Sequence, residues 1–147
     1  MENFESVDEI LDFAIGREIE AIRLYIDLAG KVNKPEMREV LKDFAKEEQE
    51  HKIKLEDAKA VGMVLRDEEV ASLGIADDVE GGEFHPDMSY ADILLFAIKK
   101  EDASVKLYTN MAKIAQDEEV KDMLLQLAQE ETEHKLRFEV EYDLTTF

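Results

Sequence analysis

The chain contains no cysteine and no tryptophan, and only two prolines and six glycines among 147 residues. The missing cysteine excludes disulfides, thiolate zinc sites, iron–sulfur clusters and four-thiolate iron centres within this chain. A redox partner of that kind must be a separate protein. With so few prolines and glycines, little interrupts a helix. Cationic side chains are also scarce: 18 Lys and Arg stand against 37 Asp and Glu, a net charge of −19. Such a surface repels nucleic-acid phosphates and anionic membranes and attracts cations; its plainest use is solubility. No apolar run approaches the ~18 residues of a membrane span. The N-terminal "MENFESVDEI" is acidic and lacks the apolar stretch of a signal peptide. The expected location is the cytoplasm. What remains is a soluble globular balance, 45% hydrophobic and 37% charged, in a length suited to one domain, 1–147, with a sizeable core.

The chain does hold a repeat. "FAKEEQEH" ends at His51 and "LAQEETEH" at His134, an offset of 134 − 51 = 83. In that register Glu48 meets Glu131, Tyr25 meets Tyr108, Glu18 meets Glu101, and "FAI" at 13–15 meets "FAI" at 96–98. No gap is needed from position 6 to about 57, and 18 of the 48 positions in 10–57 are identical to those in 93–140. Two acidic amphipathic segments that merely look alike would not keep register over fifty residues, so the chain reads as two halves of one design.

Each half reads as a helical hairpin. "SVDE" and "SYAD" are capping boxes, with Ser6 and Ser89 as N-caps. The expected helices span about 7–32, 36–61, 90–115 and 119–142, each roughly 40 Å long at 1.5 Å per residue. "NKPE" breaks the first pair, with Pro35 suited to a first helical turn, and "AQDEE" makes the second turn. Hairpin 1 then covers about 6–61 and hairpin 2 about 89–143. Between them, 62–88 reads as a long crossover with a short helix near 67–72 and a solvated turn at "DDVEGGEF", which lacks the order of a calcium loop. Short hairpin, long crossover and short hairpin give an all-α fold, a ferritin-like four-helix bundle.

A 3,4-spaced stripe runs down every helix. The first carries Leu11, Ile15, Glu18, Ile22, Tyr25, Ala29 and Val32; the third carries Leu94, Ile98, Glu101, Val105, Tyr108, Ala112 and Ala115. The second carries Met37, Leu41, Phe44, Glu48, His51, Leu55 and Ala58; the fourth carries Val120, Leu124, Leu127, Glu131, His134 and Phe138. Each is apolar except at one level, where Glu18, Glu101, the pair Glu48/His51 and the pair Glu131/His134 sit. At ~100° per residue Glu47 lies about 70° off the stripe and Glu50 about 130° off, so these and their counterparts Glu130 and Glu133 read as a solvated face. Antiparallel pairing brings all six stripe residues to mid-helix.

Four carboxylates in an apolar core repel one another, and each uncompensated buried charge costs several kcal/mol. Two divalent cations remove the conflict. A Glu from each of two helices plus Glu-x-x-His from the other two is a di-iron or di-manganese donor set, and carboxylate with imidazole suits Fe or Mn. The bland alternative is a buried polar network without metal. His85, with Gly82 three residues before it, stands outside the pattern. Tyr25 and Tyr108, two turns beyond their glutamates, are placed to hydrogen-bond a ligand carboxylate or to act in redox steps; the alternative is an aromatic core residue with a satisfied hydroxyl. Met37, Met111 and Met123 read as core filling.

"FAIGREIEAIRLY" followed by "FAKEEQEH", then "FAIKKEDASVKLY" followed by "LAQEETEH", resembles the rubrerythrin family of ferritin-like di-iron proteins, in an erythrin-type form without the rubredoxin domain. The resemblance covers nearly the whole chain outside the crossover. It implies Glu18, Glu48, His51, Glu101, Glu131 and His134 as ligands of two iron ions, with Glu48 and Glu131 as bridges. It also implies chemistry with hydrogen peroxide or dioxygen. Family members often carry a further Glu one turn after the third-helix ligand. Ser104 stands there, with Ala21 as its counterpart in the first helix, so a metal shift on reduction is not implied and the site reads as more symmetric.

Three functions follow as expectations. The first is a di-iron, or mixed Fe/Mn, peroxidase-type oxidoreductase re-reduced by an external electron-donor protein such as a rubredoxin. The second is a ferroxidase that handles iron; a cage of the ferritin kind is not expected, since about five residues follow the fourth helix. The third is a non-enzymatic bundle held together by its metals. No nucleic acid or membrane partner is expected; a homodimer through an outer helix face, or by hairpin swap, is.

Overall fold

The structure is a computed structural model that describes residues 6–62, 88–115 and 117–146. It is all-α, with α1 (Val7–Lys31), α2 (Pro35–Val61), α3 (Tyr90–Lys113) and α4 (Glu118–Thr146) in chain order. The short helix expected near 67–72, the "DDVEGGEF" turn and His85 lie outside the described residues. The helices group into two compact units, a hairpin of α1 and α2 and a hairpin of α3 and α4.

The hairpin ends follow from local chemistry. Ser89 caps α3: its backbone is extended (φ −66, ψ 162) and its side chain accepts a 3.1 Å hydrogen bond from the Asp92 N–H, as the capping box requires. α4 has a cap that the sequence reading passed over within "AQDEE". Asp117 Oδ1 accepts from the Glu119 N–H at 2.9 Å, and the Asp117 carbonyl takes the Lys121 N–H. α2 begins at Pro35, one residue before the expected start, because a fixed φ and a missing N–H cost nothing in a first turn. It ends at Gly62, in the left-handed region at φ 83, whose N–H returns to the Lys59 carbonyl. A side chain there would be strained. α4 runs to Thr146, four residues past the expected end at Tyr142, and takes up most of the residues expected to follow it. The Thr146 hydroxyl donates to the Tyr142 carbonyl at 2.8 Å and covers one of the open carbonyls of the last turn.

The buried faces are broader than the stripes. In α1, Ile10, Ala14 and Leu28 are buried beside Leu11, Tyr25 and Ala29, while Ile15 and Ile22 are only half-buried. In α3, Ile93, Ala97, Leu107 and Met111 join Leu94, Tyr108 and Ala112. A strict 3,4 seam describes contact with one neighbour, and a globular helix buries a stripe of 100° or more. Of the three methionines expected in the core, Met37 and Met111 are buried and Met123 is half-buried. No helix among the described residues is long and apolar enough to cross a membrane.

Candidate metal centre

In hairpin 1, α1 carries Glu18 inward and α2 carries Glu48 and His51 one turn apart. All three are wholly buried, at 1%, 1% and 0% exposure. His51 Nδ1 lies 3.5 Å from Glu18 Oε2 and 3.3 Å from Glu48 Oε1. In hairpin 2, α3 carries Glu101 and α4 carries Glu131 and His134, again buried. His134 Nδ1 lies 3.7 Å from Glu101 Oε2. Within each hairpin the three side chains bring ligand atoms within 4.8 Å of one another. The six residues expected at the site therefore form two clusters of two carboxylates and one imidazole.

The separations fit a cation better than a hydrogen bond. An N–H···O bond is best near 2.9–3.0 Å, whereas donors held about 2.1 Å from one ion sit roughly 3–3.5 Å apart. The donor chemistry agrees, because carboxylate oxygen and imidazole nitrogen suit iron or manganese. Burial supplies the drive. Two carboxylates removed from water cost several kcal/mol each unless positive charge is nearby, and one imidazole cannot balance both. The residues present fit a bound divalent ion in each hairpin.

The surroundings are dry. Leu11, Tyr25, Leu41 and Leu55 are fully buried in hairpin 1, as are Leu94, Tyr108, Leu124, Leu127 and Phe138 in hairpin 2. Tyr25 packs edge-on against Phe44, with ring centroids 6.3 Å apart. Of the flanking glutamates, Glu50 and Glu133 are exposed and Glu47 and Glu130 half-buried. Glu130 accepts a 2.8 Å hydrogen bond from Gln126 Nε2. Ser104 is buried three residues past Glu101, and Ala21, its counterpart, is half-buried.

The sequence reading missed two buried charged residues. Arg17, beside Glu18, lies over the Phe13 ring, 6.0 Å from its centroid; Lys100 repeats this over Phe96 at 5.3 Å. Glu141 is buried, accepts a 3.0 Å hydrogen bond from the Tyr90 hydroxyl and lies 3.7 Å from Arg137 Nη1. A signal for it existed, since 127, 131, 134, 138 and 141 continue one 4,3,4,3 stripe.

An all-helical chain that repeats a Glu and Glu-x-x-His cluster in both hairpins has the features of the carboxylate-rich helical bundles. Comparison with solved structures supports the fold: the chain is similar to a hypothetical protein from Pyrococcus furiosus, with a TM-score of 0.72 at 24% identity over 95% of this chain and 89% of that one. Comparison with curated proteins finds no match. The rubrerythrin family pattern matches residues 9–71 and 92–143, and the chain belongs to that family.

Proposed function

We propose that the two clusters act together as a di-iron, or mixed Fe/Mn, carboxylate centre, and that the protein is an oxidoreductase that reduces hydrogen peroxide or dioxygen. One observation carries the reading: each hairpin buries a Glu against a Glu-x-x-His whose atoms are spaced for a shared cation. Membership of the rubrerythrin family supports it. When bound, the metal pair supplies two-electron redox chemistry. The chain contributes the ligands Glu18, Glu48, His51, Glu101, Glu131 and His134, the apolar walls that keep bulk water out, and a rigid helical frame. Tyr25 and Tyr108, both fully buried, are positioned two turns from their glutamates to steady a ligand carboxylate.

The test is metal content per chain by elemental mass spectrometry after anaerobic Fe²⁺ loading. Two Fe, or Fe plus Mn, are expected in the natural protein, with loss in a Glu48→Ala, Glu131→Ala double variant. A folded helical protein that takes up no metal would sink the reading. Peroxide consumption with a supplied reductant is the second measurement. Iron oxidation without turnover of a reductant would instead favour iron handling, to which the net charge of −19 lends itself by collecting Fe²⁺.

A further inference from the structure

We infer that Ser104 orients and selects the oxidant, its hydroxyl hydrogen-bonding hydrogen peroxide at the hairpin 2 cluster; this rests on the metal-centre reading above and deepens it. Ser104 stands on α3 three residues after Glu101 and four before Tyr108, a spacing that puts all three on one face of the helix. Glu101 is 1% exposed, Ser104 7% and Tyr108 0%. Val105, which a strict seam would turn inward, is only half-buried. Contacts across the hairpin fix the level. Glu101 Oε2 lies 3.7 Å from His134 Nδ1, and Asp102 Oδ1 lies 3.2 Å from Lys135 Nζ. In this antiparallel pair, three residues on along α3 and three back along α4 bring Ser104 to the height of Glu131.

A hydroxyl inside a helix has a ready local use, a bond to the carbonyl four residues back. Thr132 and Thr146 take it, at 2.9 and 2.8 Å. Ser104 makes no side-chain hydrogen bond among the described residues. A buried hydroxyl without a partner costs stability, and Ser is a poorer helix former than Ala. Hairpin 1 shows that the frame does not need the hydroxyl, because Ala21 holds the aligned position. Glu18 and Glu101, Tyr25 and Tyr108, and His51 and His134 are identical pairs across the repeat, and the halves differ here. Short and neutral, Ser104 is a hydrogen-bonding group beside the ligands, not a further charged ligand.

The partner that fits is a small molecule with both lone pairs and a proton. A serine hydroxyl offers one O–H donor and two acceptor lone pairs. Hydrogen peroxide offers a proton and lone pairs on each oxygen. Dioxygen has no proton to give and accepts hydrogen bonds weakly. The walls one turn away are apolar, with Leu107, Met111, Leu124 and Leu127 all buried. In such surroundings one directed hydrogen bond discriminates between small molecules that size alone would not separate. Because one half of the repeat carries the hydroxyl and the other a methyl group, the two ends of a peroxide are held differently.

The test titrates azide, a small redox-inert anion that coordinates ferric iron, into the iron-loaded, oxidised protein and follows the absorbance band it produces. Ser104→Ala should raise the azide Kd roughly three- to tenfold, the size of one hydrogen bond. Ser104→Thr keeps a hydroxyl and should stay within about twofold of the natural protein. Stopped-flow rates should separate the oxidants: Ser104→Ala slows the reaction with peroxide by a similar factor and leaves that with dioxygen unchanged. Iron content and the circular-dichroism melting curve should match the natural protein in both variants. Unchanged azide affinity and peroxide rate in Ser104→Ala overturn the inference. So does equal slowing with dioxygen, which would mark a general effect on the centre, or a Thr variant as weak as the Ala variant, which would mark packing. Loss of iron from Ser104→Ala also overturns it, marking the residue as a support for Glu131. These outcomes in an iron-loaded protein sink the inference alone, whereas a natural protein that takes up no iron sinks the metal-centre reading.

Discussion

Seven residues past its histidine, hairpin 1 has Ala58 and hairpin 2 has Glu141. Around Glu141, Tyr90 replaces Val7 and Arg137 replaces Lys54 at the aligned positions. Three changes together build a buried lock between the start of α3 and the end of α4. Burial first, and then the hydrogen bond to Glu141, pushes the Tyr90 hydroxyl well above the usual phenol range and keeps it a donor. Hairpin 1 closes the same end on its surface, where Lys59 Nζ meets Asp12 Oδ1 at 2.6 Å. That contact raises the Lys59 pKa, chiefly through the hydrogen bond. One architecture thus accepts either an exposed ion pair or a buried hydrogen-bonded carboxylate at the same level. The requirement common to both halves lies a few turns away, at the clusters of Glu and His.

The sharpest way to test whether the halves are equivalent is to disarm one at a time. Metal held at 1,000 times Kd contributes ~4 kcal/mol, so chelation should lower Tm by on the order of 10 °C for a chain of this size. Glu48→Ala and Glu131→Ala, made singly, should each remove at least one of two bound metals, by elemental analysis. Unequal loss would show that the hairpins differ in affinity. Next in size are the aligned core residues Leu55 and Phe138, both fully buried. Leu55→Ala should cost ~2–5 kcal/mol and Phe138→Ala ~3–5 kcal/mol in urea unfolding.

Smaller effects separate the two locks. Tyr90→Phe leaves Glu141 short of a donor and should cost about 1–3 kcal/mol at pH 7, while Lys59→Met on the exposed pair should leave Tm unchanged within error. Because the Tyr90 pKa is raised in the folded state, its contribution is whole below pH ~10 and declines as pH rises toward the folded value. A small effect confined to acid is expected at Asp102, which α3 places 3.2 Å from both Lys106 and Lys135. Burial pushes its pKa up, but the two lysines outweigh burial and hold it below the usual range. Its contribution, below ~1 kcal/mol for so exposed a group, is present above pH ~4 and lost as pH falls further. Asp102→Asn should flatten stability in that acid window and nowhere else.

The four helices and the six inward Glu and His were legible in sequence because a charge on an apolar stripe is a physical contradiction, and the repeat stated it twice. Glu141 obeys the same stripe but was passed over, since a lone Glu near a helix end is exposed by default and its partner Tyr90 is 51 residues away. Asp117 was read as part of a turn, although Asp ahead of an acidic first turn is an N-cap signal. The wider buried face that takes in Ile10, Ala14 and Leu28 was not legible, because a seam shows one contact direction and burial depends on all of them. The last turn of α4 lacks core residues to predict it and persists through local hydrogen bonding.

The pairing of aligned positions also has a use of its own. Two copies of one hairpin in a single polypeptide are a substitution experiment already performed. Leu55 against Phe138 shows that a fully enclosed site takes either an aliphatic or an aromatic ring, once its own surroundings have adjusted. Gly30 against Lys113 shows that the glycine is dispensable to the helix, in keeping with the open space around its Cβ direction. An engineer who wants to vary this scaffold can begin by exchanging residues between its halves, since each choice has already been tried on the same frame.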